Sequence, residues 1–110
     1  MTPTTEPSPT LPAAPAYPPE VEAFCAAHGL RPHLDTAVRL AREVFPAMRG
    51  FTTEVVEDPG SPRTWVTLRV VVPPGTLDAN PGATWEYTRR EVKAIPSGPA
   101  EFIRLAVDVG

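Results

Sequence analysis

The sequence predicts a single small α+β domain: two N-terminal helices, a β-hairpin, a crossover helix and a final strand, in the order α-α-β-β-α-β. Three observations carry this. Leu34, Ala37, Val38, Ala41, Val44, Phe45 and Met48 recur at helical spacing. Val66, Leu68, Val70 and Val72 alternate with Trp65, Thr67, Arg69 and Val71, the period of a strand with one buried face. Ile103, Leu105, Val107 and Val109 repeat that alternation at the end of the chain. A crossover helix between the second and third strands lets the third lie parallel to one of the hairpin strands, giving a three-stranded open sheet with helices on one face.

The elements follow in order. Seven of the sixteen prolines fall between Pro3 and Pro19, among few large apolar residues. Residues 1–18 are therefore expected to be a disordered tail, with 19–110 as the folded domain. Pro9-Thr10-Leu11-Pro12 and Pro12-Ala13-Ala14-Pro15 satisfy a PxxP pattern, but no basic residue flanks them and a solvating tail is the expected role. Helix one should open at Pro19, with Glu20 and Glu22 complementing the helix dipole. Val21, Phe24, Cys25 and His28 share one of its faces. Gly29 offers a left-handed cap with Leu30 folding back. Helix two restarts at Pro32 and closes before Pro46 and Gly50.

In the first hairpin strand Phe51, Thr53 and Val55 are the expected inward set and Thr52, Glu54 and Val56 the outward one. The doublet Val55-Val56 leaves that register open to a one-residue slip. Asp58-Pro59-Gly60-Ser61-Pro62 carries the turn. Pro73 and Pro74 end the second strand, and a polar loop runs to Gly82. Trp85, Thr88, Val92 and Ile95 form the apolar stripe expected of helix three, with Asn80 or Thr84 as its cap. Phe102, Arg104, Ala106 and Asp108 form the outer side of the third strand.

Composition narrows function. A net charge of −3 on 110 residues excludes generic attraction to nucleic acid or anionic membrane, though a local basic stripe remains open. One cysteine, Cys25, allows no intrachain disulfide, so a cytoplasmic setting is the default. No apolar run approaches the roughly 20 residues that span a bilayer, and no signal peptide is expected.

Motifs for chemistry are sparse. The seven glycines never reach phosphate-loop spacing, and no GxSxG, HExxH or DxDxDG run occurs. Cys25, His28 and His33 lack the second Cys/His pair that a tetrahedral zinc site would need, so no metal or cofactor is expected. A Cys25–His28 nucleophilic dyad would need an orienting third group, for which Glu22 is the nearest candidate, and an oxyanion site, and no catalytic residue is assigned. Glu57-Asp58 sits in a turn, where capping is the ordinary role. The two leading helices also invite comparison with a helix-turn-helix, with Cys25, Leu30 and Val38 at fitting positions. Asp35 and Pro32 sit badly in that scheme.

Two surfaces remain. The outer sheet face carries Trp65, Thr67, Arg69 and Arg104, residue types enriched at binding hot spots, and it is the expected site for a protein partner or a second copy of the chain. The alternative is a nucleic-acid regulator using Arg39, Arg42, Arg89, Arg90 and Lys93. Glu43, Glu86 and Glu91 interleave with those cations at spacings that also suit surface ion pairs.

HGLRPHLDTAVRLAREVFP, EVVEDPGSPRTWVTLRVVV and FIRLAVDVG together resemble a group of small uncharacterised bacterial proteins. The group shares a helix, an acidic turn before a Trp-bearing strand, a short helix and a final strand. The resemblance covers roughly residues 20–110, while the proline tail and the Pro73–Gly82 loop depart from it. Genes of the group often neighbour toxin-like or HEPN-type genes, so the resemblance implies an antitoxin-like or accessory role. It transfers no catalytic residue.

Overall fold

The computed structural model describes residues 17–110. Both PxxP segments lie outside them. Eight elements follow: α1 (Pro19–His28), α2 (Arg31–Val44), β1 (Gly50–Glu57), β2 (Thr64–Val72), α3 (Thr76–Ala79), α4 (Ala83–Ala94), α5 (Ser97–Ala100) and β3 (Ile103–Val109). The one-turn helices α3 and α5 are additions to the expected order. The sheet is β1-β2-β3, antiparallel at the hairpin and parallel between β2 and β3.

Register decides which side chains meet the helices. Val55 stands opposite Val66 and Thr53 opposite Leu68, so the doublet resolves with Val55 toward the core and Val56 beside Trp65. Thr53 is buried, and Phe51 and Val55 pack against the core. Val66, Leu68, Val70 and Val72 are all fully buried, which makes the inner face of β2 the floor of the core. Leu34, Ala37, Val38, Leu40, Ala41 and Val44 of α2 are buried with it. On β3 Ile103 is buried and Leu105 and Val107 pack partly, while Val109 stays exposed.

The α1–α2 corner forms as its residues dictate. Gly29 adopts φ 65°, and the N–H of Leu30 donates to Cys25 O at 2.9 Å, closing a Schellman cap with Leu30 fully buried. Tyr17, expected within the tail, instead belongs to the core. Its ring is buried, and its hydroxyl donates to Asp35 Oδ1 at 2.7 Å. Arg31 lies 4.8 Å from the Tyr17 ring centroid and pairs with both Asp35 and Glu22. Asp35, the residue that sat badly in a helix-turn-helix, thus ties the chain's approach to the start of α2.

Helix α4 departs from expectation. Trp85 and Val92 are 67% and 72% exposed, while Ala83 and Tyr87 face inward. Burial of Ala83 and the Tyr87 ring sets this rotation, and ion pairs accompany it: Arg90 reaches Glu43 of α2 at 3.1 Å and Glu86 of its own helix at 2.8 Å. The stripe at Ala83, Tyr87 and Glu91 then faces the body, and the stripe containing Trp85 turns out. Ile95 is buried because it has left the helix, with extended backbone at φ −119° and ψ 125°. Neither Asn80 nor Thr84 caps α4 with its side chain; Gly82 occupies the cap position.

Tyr87 donates its hydroxyl to Glu91 Oε2 at 3.3 Å. Burial raises the Glu91 pKa, with the Tyr87 hydrogen bond opposing it more weakly. A raised carboxyl pKa means that the fold favours the protonated form, so Glu91 supports stability below the unfolded carboxylate range and that support is lost as pH rises through the folded value. Glu91→Gln is therefore expected to raise the melting temperature at neutral pH, with the gain vanishing below about pH 4; thermal melts at both pH values check this. At the corner, Gly29→Ala meets no atom within 4 Å and pays only for the left-handed backbone. It should cost about 1 kcal/mol, measured by urea unfolding.

Candidate protein-interaction face

The outer sheet face is built by the residues that alternate with the core set. Arg104 stands opposite Thr67 across β2 and β3, and Glu54 stands opposite Thr67 on the other side. The Trp65 indole lies along its own strand, with Nε1 donating to Thr67 Oγ1 at 3.2 Å. The Arg104 guanidinium sits over the indole, 3.9 Å from the ring centroid, and Trp65 is half-buried as a result. Further along, Arg69 pairs with Asp108 at 3.3 Å and reaches Glu54 at 4.0 Å. All four residues expected on this face are thus brought together. Thr67 is buried, so it holds Trp65 in place rather than meeting a partner directly.

The face continues into an open cleft of about 460 Å³ that sequence reasoning missed. Its walls include Phe24, His28, Phe102, Arg63, Trp65 and Arg104. His28 stacks on Phe102 at 4.8 Å between centroids and lies 4.4 Å from Phe24. Phe24 and His28 share a face of α1, but no local spacing announces their meeting with Phe102 and the hairpin. The available signal was Phe102, an aromatic one residue ahead of a strand whose inner set begins at Ile103.

The turn beside the cleft is rigidly made. Asp58 Oδ1 accepts from the Gly60 N–H at 2.9 Å and Oδ2 from the Ser61 hydroxyl at 3.0 Å. Those bonds hold the Asp58 carboxyl below its ordinary range. Capping is therefore what this carboxylate does.

The basic residues of α2 and α4 lie side by side but largely neutralised. Glu43 receives Arg39 at 3.2 Å and Arg90 at 3.1 Å, and Glu86 receives Arg89 at 2.9 Å as well as Arg90. The Arg90 hydrogen bond leads the causes that lower the Glu86 pKa, and Lys93 adds to them. Arg42 is placed over the Phe51 ring at 5.5 Å. Such a surface presents paired charge where phosphate contacts would need unpaired cations.

Cys25 and His28 do not act together. Cys25 is buried in the core, while His28 is exposed against Phe102. Burial first, then Glu22, raises the Cys25 thiol pKa, the opposite of what a nucleophile requires. Among the described residues no group of three or more His, Cys, Asp or Glu is placed to hold a metal ion, and no helix is long and apolar enough to cross a membrane.

Comparison with known proteins finds no matching family model, no matching curated protein and no matching solved structure.

The buried thiol generates a direct expectation. Iodoacetamide should alkylate Cys25 in the folded protein more slowly than it alkylates free cysteine, with the rate rising on unfolding in urea. Mass spectrometry of quenched time points measures it.

Proposed function

We propose that the protein is a non-enzymatic interaction module that binds a protein partner through the outer sheet face. The observation that carries this reading is the Arg104 guanidinium held 3.9 Å over Trp65, half-buried and uncovered by any of the described helices' core contacts. A tryptophan anchored by Thr67 and capped by an arginine loses little side-chain entropy on binding. The neighbouring cleft, with three aromatic rings in mutual contact, accepts an apolar or aromatic side chain from the partner, and Arg63 and Arg104 favour an acidic neighbour to it. The protein is read as a cytoplasmic accessory or antitoxin-like subunit, the role that the sequence resemblance implies. The paired charges of α2 and α4 leave the nucleic-acid alternative without comparable support.

Affinity capture from the native cell, with mass spectrometry of what copurifies, identifies the partner. Trp65→Ala should then weaken binding at least about 30-fold, the effect of losing a hot spot worth about 2 kcal/mol, with the circular dichroism unchanged. Unchanged affinity would refute the reading.

A further inference from the structure

We infer that two copies of the chain join edge to edge through β3, running antiparallel, to form one six-stranded sheet from two sheets of three. The argument begins with the backbone. The Val66 N–H donates to Phe102 O at 2.8 Å, and the Gly110 N–H donates to Val72 O at 3.0 Å. In a parallel ladder with Val66 opposite Ile103, the peptide groups of Arg104, Ala106 and Asp108 then face β2. Those of Ile103, Leu105, Val107 and Val109 face away, along the free edge of the sheet.

Free edges are ordinarily blunted by proline, lysine or a bulge, because they template pairing with another strand. β3 contains no proline or lysine and pairs with β2 without interruption. Its two charges lie on the outer face, Asp108 beside Arg69 at 3.3 Å and Arg104 over Trp65, and their order along the strand is self-complementary. A two-fold axis at Ala106 sets Arg104 opposite Asp108 of the copy, Leu105 opposite Val107, and Ile103 opposite Val109. All seven residues are then paired, and the outward-facing peptide groups meet as hydrogen-bonded pairs. Moving the axis to Leu105 or Val107 preserves backbone pairing but separates arginine from aspartate. Arg104 rests over the Trp65 ring with no ion-pair partner among the described residues, and Val109 is an inner-parity residue left 56% exposed. The antiparallel copy supplies Arg104 with a carboxylate and Val109 with an apolar neighbour.

Helix α4 extends the same surface. A groove of about 540 Å³ runs between it and the inner side of β3, lined by Tyr87, Thr88, Leu105 and Val107 among others. Trp85, Thr88 and Val92 recur at i, i+3 and i+7, so the exposed apolar stripe of α4 shares Thr88 with that groove. A strand added beside β3 lies along this groove, next to Thr88.

Sedimentation equilibrium of the full chain tests the proposal. The native protein is expected to be a dimer. Val107→Pro removes an edge-facing N–H twice per dimer and should yield a monomer with unchanged circular dichroism. Asp108→Arg, which sets arginine against arginine, should weaken the dimer by about tenfold or more, and the double variant R104D/D108R should restore it. Trp65→Ala should leave the dimer intact, which separates this interface from partner binding by the outer face. A native monomer at all concentrations overturns the proposal. So does a dimer that survives both Val107→Pro and Asp108→Arg, or one that is lost with Trp65→Ala but kept with Val107→Pro.

Discussion

Strand β2 is paired on both edges, and its two faces are chemically opposite, which is the constraint that everything else obeys. Val66, Leu68, Val70 and Val72 are excluded from water on one side, while Trp65, Thr67 and Arg69 share the other. Because the side-chain period of a strand is two, a slip of one residue in either neighbour would drive that neighbour's polar set into the helices. The register Val55–Val66–Ile103 therefore aligns three apolar rows at once. The helices follow from this floor: α2, with the most strongly segregated apolar face, lies on it, and α4 is steered against α2 by the shared Glu43.

The same constraint creates the surface. Among the described residues, the polar groups on the far side of β2 pack against no helix of the core, so they satisfy one another. Trp65 bonds to Thr67, Arg104 covers Trp65, and Arg69 is shared between Glu54 and Asp108. The ion pairs here are exposed and individually weak, worth at most about 1 kcal/mol each. Their role is to hold side chains in place. The paired charges on α2 and α4 act in the same way on the other side, fixing a helix–helix contact at the expense of free positive charge.

Much of this was legible in the residues. The alternation in β2 and β3, the Gly29-Leu30 corner and the Asp58 turn each rest on a local rule that tertiary structure has no reason to override. The rotation of α4 did not follow, because Trp85, Val92 and Ile95 made a more hydrophobic stripe than Ala83, Tyr87 and Glu91. The deciding terms were the burial of the Tyr87 ring against the body and the exit of Ile95 from the helix, and neither is local. Tyr17 was hidden for a similar reason: its hydroxyl partner, Asp35, lies 18 residues away. At the candidate site the four outer-face residues were legible from parity alone. The cleft was not, since Phe24, His28 and Phe102 converge only when α1 and the start of β3 are brought together.

The account rests most heavily on an outer sheet face that none of the described helices packs against and on an arginine that shields its tryptophan. Acrylamide quenching of Trp65 fluorescence, in a Trp85→Phe background of the full chain, measures this directly. Quenching intermediate between that of a buried and a free indole, rising when Arg104 is replaced by alanine, is the result expected. Quenching as weak as that of a core tryptophan, unmoved by the loss of Arg104, would contradict the account.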